Sequence, residues 1–301
     1  MKEIKLSLPA GKYVLAVSGG VDSMTLLHLL AKSQKPKVKS QFVVAHFNHG
    51  IRPDSVEDEK LVLKMSIKYQ LPFEVGYGKL GKIASEEQAR KARYWFLDRI
   101  RHKYQADAII TAHHQDDLLE TAVINILRGT RYRGLVAIAE NPDILRPLLK
   151  FSKNDLLEYA KQHNLTWRED SSNVSEAYLR NYIRRRVLAN LTDSQRKEFL
   201  NNIDKVAKIS KAQNQLIATI SHNIKKNDRI NRLEFSSLPV EVANELLVYW
   251  LREIGFRSYN RKMIDRLNLA IRTASPGTRH RISKDLWLVM GRKEVAFSRE
   301  Q

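Results

Sequence analysis

Apolar runs and polar, glycine-bearing junctions alternate through the first half of this chain. Tyr13-Val14-Leu15-Ala16-Val17 is continuously apolar, the pattern of a strand buried on both faces, and predicts a strand over 12–17. The small and polar string Ser18-Gly19-Gly20-Val21-Asp22-Ser23 follows, and then Met24-Thr25-Leu26-Leu27-His28-Leu29-Leu30, which reads as a helix. Further buried-strand patterns lie at 41–46, 72–76 and 108–112. Helical periodicity occupies 56–69, 85–104 and 116–128, the second opened by the capping box Ser85-Glu86-Glu87-Gln88 and the third closed by Gly129. Strands separated by helices predict an α/β fold, a parallel sheet with helices on both faces. In such sheets ligands bind at the carboxyl ends of the strands. Later segments read as a capped helix at 152–164, a basic helix at 178–191 and an amphipathic helix at 238–254. Residues 278–298 alternate like short strands, so the C-terminal part is expected to be smaller and mainly helical.

Composition narrows this picture. A chain of 301 residues with 43% hydrophobic content can build two domains, each with a core. No apolar run reaches the ~20 residues of a membrane span. Met1-Lys2-Glu3-Ile4-Lys5 leads into no apolar targeting segment, so a cytoplasmic protein without a membrane partner is expected. The formal net charge is +19, which points to a polyanionic partner. The excess is uneven: residues 1–170 carry 27 Lys and Arg against 20 Asp and Glu, residues 171–301 carry 25 against 13. The shorter C-terminal part therefore holds most of it. There is no cysteine, which excludes disulfides, thiolate metal sites and iron–sulfur or persulfide chemistry on this chain's own side chains.

The junctions carry the candidate chemistry. In Ser18-Gly19-Gly20-Val21-Asp22-Ser23 two glycines permit a tight turn and close backbone approach, and the N–H groups of the following helix face an anion. The serine hydroxyls add donors, and Asp22 is the candidate Mg²⁺ ligand beside bound phosphates. The string lacks the Gly-Lys-Ser/Thr end of a Walker A loop and the spacing of a dinucleotide loop. His46, Asn48 and His49 are candidates for a nucleotide pocket, and His113 and His114 for contacts to a phosphate or a base. The spacing of these four histidines has no zinc signature. Asp117 and Glu120, three apart, share a helix face that could hold an ammonium or help a metal. Arg90 and Arg93 share another, suited to ATP phosphates or RNA. Arg128, Arg131 and Arg133 flank Gly129 and Gly134 in a basic loop suited to an RNA backbone. The basic helix adds Arg180, Arg184 and Arg185, and Tyr94, Tyr132, Tyr178 and Tyr182 offer rings for base stacking.

The six-residue string resembles the PP-loop of the ATP pyrophosphatases, which split ATP between its α and β phosphates. An ordered set of further blocks narrows the resemblance. They are His46-Phe47-Asn48-His49-Gly50-Ile51-Arg52, Glu87-Gln88-Ala89-Arg90-Lys91-Ala92-Arg93-Tyr94 and Ala112-His113-His114-Gln115-Asp116-Asp117-Leu118-Leu119-Glu120-Thr121. Leu127-Arg128-Gly129, Leu145-Arg146-Pro147-Leu148, Asp170-Ser171-Ser172-Asn173 and Arg180-Asn181 follow. Together, over about the first two thirds of the chain, they resemble the tRNA(Ile)-lysidine synthase family.

That resemblance implies a catalytic PP-loop domain over 1–190, ending in the basic helix, and a helical tRNA-binding domain over 191–301. It implies ATP and Mg²⁺ as cofactors, and as partners a tRNA(Ile) whose anticodon begins with cytidine and free L-lysine; a homodimer is compatible with it. ATP would adenylate O2 of that cytidine and the lysine amine would then displace AMP from C2. Asp22, Asp117, Glu120 and His113 become the expected catalytic residues. Ser18 to Ser23 with His46, Asn48 and Arg93 become the ATP site. Arg90, Arg128, Arg131, Arg133, Arg180, Arg184 and Arg185 become the RNA contacts. Two other readings stay open: a PP-loop enzyme acting on a small molecule, and a tRNA-binding homologue without catalysis. The chain departs from the family at Thr130-Arg131-Tyr132, where larger side chains stand in place of a small residue and glycine.

Overall fold

A computed structural model describes residues 4–33, 41–50, 55–78, 86–130, 132–136, 143–168 and 179–299. The chain divides into two compact units, 1–204 and 205–301. The boundary expected at 190/191 from the sequence precedes this division, which falls inside a long helix.

The first unit holds a parallel five-stranded sheet in the order β3-β2-β1-β4-β5. Its strands are β1 (Lys12–Ala16), β2 (Gln41–Asn48), β3 (Phe73–Tyr77), β4 (Ala108–Ile110) and β5 (Ile144–Leu145). Its helices are α1 (Val21–Lys32), α2 (Ser55–Lys68), α3 (Glu86–Lys103), α4 (Gln115–Leu127), α5 (Tyr132–Leu135) and α6 (Lys153–Gln162). The apolar runs are continuous because each face has its own cover. Leu15, Val17, Phe42, Val44 and Ile110 pack with Leu26, Leu27, Val62 and Leu156 from α1, α2 and α6. Val14, Val43, Ala45 and Ile109 pack on the other face with Phe96, Leu97 and Ile100 of α3. The chain runs outward from β1 through β2 to β3, then returns to lay β4 on the other side of β1. This reversal puts a switch point between the carboxyl ends of β1 and β4.

The expected basic helix at 178–191 is irregular from 179 on. It comprises α7 (Leu179–Tyr182), a π-helical turn at Ile183–Val187 and a 3₁₀ turn at Leu188–Asn190. A long helix, α8 (Asp193–Ile224), continues into the second unit. That unit adds α9 (Arg232–Ser237), α10 (Val240–Glu253) and α11 (Arg261–Thr273). It also contains more sheet than the sequence pattern indicated. Five antiparallel strands run in the order β6-β7-β10-β9-β8: β6 (Lys225–Lys226), β7 (Arg229–Asn231), β8 (Arg279–Arg281), β9 (Leu286–Met290) and β10 (Glu294–Arg299). One sheet face, with Ile230, Leu286, Leu288, Met290 and Val295, closes on Leu246, Trp250, Leu267 and Ile271. No helix among the described residues is long and apolar enough to cross a membrane.

Candidate active site

The loop after β1 turns at Gly19, whose φ of +94° is costly for any side chain. A Cβ there would also stand 3.3 Å from the Cβ of Asp58. The turn is held from outside: Arg168 N donates to Gly19 O at 3.0 Å, and Arg168 Nε to the buried Asp58 at 2.8 Å. Gly20 caps α1 with no side-chain hydrogen bond, so the first N–H groups of the helix are not consumed by a cap. Inside the loop Ser23 Oγ donates to Gly20 O at 2.9 Å and accepts from Ser18 N at 3.1 Å. These contacts set both hydroxyls at the helix mouth.

A cleft of about 540 Å³ opens there, at the switch point. Ser18, Gly20, Asp22 and Ser23 line it from the loop, and His46 and Asn48 from the end of β2. Arg93 and Tyr94 line it from α3, His113 and Asp117 from the segment after β4, and Arg180 and Arg184 from the C-terminal side. The three segments at strand carboxyl ends, Ser18-Gly19-Gly20, His46-Phe47-Asn48-His49 and Ala112-His113-His114, converge on it, and α3 joins them. His46 Nδ1 lies 2.8 Å from Val17 O and can only donate to it, which leaves Nε2 an acceptor while the ring is neutral. Burial lowers its pKa and favours that neutral form. His113 is likewise driven down, to about 3, chiefly by burial, and its Nδ1 is 2.7 Å from Thr111 Oγ1. Asn48 Oδ1 accepts from Gly50 N at 2.9 Å and so shapes the loop it stands in. Arg90 and Arg93 hold their guanidinium carbons 4.8 and 5.5 Å from the centre of the Tyr94 ring.

An adjoining cavity of about 300 Å³ gathers charge the sequence did not reveal. Lys153 Nζ donates to both carboxylate oxygens of Asp22, at 2.8 and 2.7 Å. His114 caps α4: its Nδ1 accepts from Asp116 N at 3.2 Å, which places the proton of the neutral ring on Nε2. That Nε2 lies 3.7 Å from Asp22 Oδ2 and 3.6 Å from Asp117 Oδ2. Burial pushes the Asp117 carboxyl up, but His114, His113, the His114 N–H and Arg180 together hold it below the usual range. Asp116 in turn accepts from Arg196 and from Lys153 N.

Two expectations need correction. Glu120 does not offer a free carboxylate beside Asp117. It is fully buried and accepts from Arg180 Nε at 3.0 Å and from Arg184 Nε and Nη2 at 2.6 and 3.1 Å. Arg180 and Arg184 correspondingly turn inward with it instead of forming an outward basic face, because a buried carboxylate needs compensating cations. Arg128 and Arg185 are exposed and line neither cavity. Arg131, the side chain of Arg133, Tyr178 and the segment Asp170-Ser171-Ser172-Asn173 lie outside the described residues. Sequence reasoning missed Lys153, Arg168 and Asp58, and did not give His114 its bridging place.

No group of three metal-ligating side chains stands together among the described residues. The donors that converge on His114 Nε2, Asp22 and Asp117, are hard oxygens in the number Mg²⁺ takes from a protein when phosphates and water supply the rest. The residues present therefore fit Mg²⁺ bound together with a nucleotide.

The PP-loop domain model matches residues 1–191 of this chain. The tRNA(Ile)-lysidine synthase of Thermotoga maritima is 40% identical over 189 residues, 60% of this chain and 45% of that protein. The enzyme of the same name from Streptococcus sanguinis is 34% identical over 294 residues, 96% of this chain and 66% of that protein. The chain thus spans under half the length of the first of these relatives and about two thirds of the second. Among solved structures, a U34-tRNA thiolase from Methanococcus maripaludis superposes with a TM-score of 0.53 at 16% identity, covering 67% of this chain and 74% of that one. At that identity the likeness is one of fold.

Proposed function

The chain belongs to the PP-loop domain family, and on that premise we propose that it is an ATP-dependent ligase that joins free L-lysine to a tRNA(Ile) whose anticodon begins with cytidine. The observation that carries this reading is the convergence of the β1 loop, the end of β2, α3 and the segment after β4 on one cleft. Identity of 34% along 96% of the chain to a tRNA(Ile)-lysidine synthase supports it. The excess positive charge of residues 171–301 suits an RNA substrate better than a small one.

Cytidine O2 attacks the α-phosphorus of ATP, the bond from that phosphorus to the bridging oxygen breaks, and pyrophosphate leaves. The lysine ε-amine, having lost its ammonium proton to water, then attacks C2; the C2–O bond breaks and AMP leaves with the oxygen. Lysidine at the first anticodon position reads A, so the codon changes from AUG to AUA. In the first step Ser18, Ser23 and the first N–H groups of α1 hold the departing pyrophosphate. Arg93 adds a fixed cation on the opposite wall. The acceptor Nε2 of His46 suits an exocyclic amine such as that of adenine. Mg²⁺, when bound at Asp22, would supply neutralisation of the phosphate charge. Asp117, with its depressed pKa, is a poor proton acceptor, so its role toward lysine is to orient the ammonium. Glu120 acts through Arg180 and Arg184, which it fixes in the cleft wall.

The test is incorporation of radiolabelled lysine into unmodified tRNA(Ile) transcript, with and without ATP and Mg²⁺. ATP-dependent label at the first anticodon base supports the reading. AMP release that needs no tRNA would replace it with a small-molecule reaction, and tRNA binding without AMP release would make the chain a non-catalytic binder. In the same assay Asp22→Ala is expected to lower AMP release by about 100-fold or more while tRNA binding persists; equal loss of both would remove Asp22 from the chemistry.

A further inference from the structure

Four acids, Asp22, Asp116, Asp117 and Glu120, line the cavity beside the cleft. Three of them are held by arginine or backbone donors. Glu120 accepts from Arg180 and Arg184, Asp116 from Arg196 and the Lys153 N–H, and Asp117 from the His114 N–H at 2.9 Å. Asp22 is held differently. Its closest partner is the ammonium of Lys153, 2.8 and 2.7 Å from its two carboxylate oxygens. The pair is open to water, with 39% of the lysine side chain and 27% of the aspartate's exposed. Asp22 also lines the main cleft, at the mouth of α1. Lys153 is the first residue of α6, the end of a helix where a cation is disfavoured. The carboxylate on α1, and not its own helix, holds the ammonium in place. The root of the side chain is fixed: its N–H donates to Asp116 at 2.9 Å, Ser152 and Asp155 cap the turn it starts, and Leu156 packs with Leu26 and Leu27 of α1. The flexible stem can therefore swing on an anchored backbone.

A carboxylate beside a phosphate site needs a positive neighbour whether or not the phosphates are there. An ammonium spread over both oxygens of Asp22 and a divalent cation on the same carboxylate repel each other, so each excludes the other. A half-exposed lysine–carboxylate pair contributes little and exchanges readily, whereas a buried cluster such as that of Glu120 does not. An arginine fork would also hold the carboxylate more firmly than this point charge does. We propose that Lys153 is an exchangeable counter-ion of Asp22. Its ammonium neutralises Asp22 when no nucleotide is bound and opposes a divalent cation that arrives alone. It gives way to the cation that arrives with a nucleotide, whose phosphates offset the added charge. Metal and nucleotide are thereby made to bind together, and coupling of this kind is reciprocal. This exchange rests on the proposed reading of Asp22 as a metal ligand in an ATP site, and is independent of which substrate is adenylated.

The test uses the full chain and two probes: Mn²⁺ alone, followed by the paramagnetic resonance of the free ion, and α,β-methylene ATP, which is not split between its α and β phosphates. Lys153→Met is expected to bind Mn²⁺ about fivefold more tightly than the parent, the upper end for a half-exposed ion pair. In EDTA the same variant is expected to bind α,β-methylene ATP about fivefold more weakly, because a bare carboxylate then faces the phosphates. Excess Mg²⁺ should erase that deficit. A lysine that only held α6 to α1 would weaken nucleotide binding equally with and without metal, and its loss would not tighten the metal. Should Lys153→Met melt below the parent, Lys153→Gln takes its place. Asp22→Asn added to Lys153→Met is expected to abolish the gain in Mn²⁺ affinity. Unchanged Mn²⁺ affinity in a Lys153 variant that melts like the parent would overturn the exchange; if Asp22→Asn alone still abolishes Mn²⁺ binding, the counter-ion role falls and Asp22 stays the metal ligand. Mn²⁺ affinity indifferent to Asp22→Asn overturns both. A parent chain that shows the exchange and incorporates no lysine keeps the counter-ion and loses the proposed ligation.

Discussion

Each unit of the chain is built on a five-stranded sheet, and the two sheets present their chemistry differently. The parallel sheet is sealed on both faces, by α1, α2 and α6 on one and α3 on the other. Nothing can bind to a face that is covered, so the polar residues gather where the strands stop, and the cleft lies at one end. The antiparallel sheet is sealed on one face, and its strands alternate: Leu286, Leu288 and Met290 are buried while Trp287 and Val289 between them are not. Its polar residues can therefore spread across a surface. An end-on site can surround a small ligand such as ATP and exclude water from it. A face suits an extended polyanion, where many weak contacts add.

The handling of charge follows the same division, and this can be broken first in the parallel unit. Glu120 is fully buried, and Arg180 and Arg184 both donate to it. Glu120→Gln keeps the shape and removes the charge, leaving two half-buried cations against each other. Stability of the first unit is expected to fall by about 3 kcal/mol, read from urea unfolding. Replacing Glu120, Arg180 and Arg184 together by Leu, Met and Met should recover much of that loss while abolishing AMP release. A Glu120→Gln variant as stable as the parent would show that the cluster is solvated and that the comparison with the open face has no force.

How much of this the sequence exposed depends on whether the signal is local. The run Tyr13–Val17, the Gly19-Gly20 turn and the Ser152-to-Asp155 capping box are local, and each was legible: Ser152 accepts from Asp155 N, as such a box requires. The convergence of the segments after β1, β2 and β4 was legible too, because strand carboxyl ends of a parallel sheet share one edge; the share of α3 in the cleft was not. The pair Lys153–Asp22 bridges 131 positions and Arg168–Asp58 bridges 110, and no periodicity marks either partner. The burial of Glu120 was hidden for the same reason: Asp117 and Glu120 look alike on a helix until Arg180 and Arg184 fold over one of them. The π turn at Ile183–Val187, which carries Arg184, has no compositional mark. Strands of two and three residues, such as β6 and β7, are too short to show alternation, so the C-terminal sheet was read only at its longer end.

In the antiparallel unit one arginine, Arg232, is anchored on backbone carbonyls where Arg180 and Arg184 are anchored on a carboxylate. Arg232 donates to Ile271 O at 2.6 Å, to Gly291 O at 3.3 Å and to Ala274 O. It thereby ties the carbonyl end of α11 to the turn between β9 and β10, where the helix dipole also favours a positive charge. Arg232→Ala leaves these carbonyls without donors and is expected to cost about 2 kcal/mol, seen as faster amide exchange in α11 and β9. Arg232→Lys should restore little, since a single ammonium cannot span three acceptors set for a planar fork. If lysine restores full protection, the contact is a dipole effect alone, and the two units would manage buried cations less differently than their geometry indicates.

The smallest effect separates the units by pH. His28 of α1 is buried under the sealed face, its Nδ1 2.7 Å from Tyr69 Oη, with the Tyr159 and His163 rings 5.8 and 5.2 Å away. Burial first, and then Lys32, His163 and Lys68, push its pKa from 6.5 down to about 4. The folded chain thus takes up this proton later than the unfolded chain does. The associated stability is complete above pH 6.5 and is lost progressively as the pH falls toward 4, where the folded form too becomes charged. His280 of the open sheet is only half-buried, beside Thr278. The unfolding midpoint of His28→Gln should therefore fall less steeply than that of the parent between pH 6.5 and 4. A parent-like slope in His28→Gln would mean that acid destabilisation comes from the carboxylates of the cleft, Asp117 first, whose depressed pKa works in the same direction at lower pH.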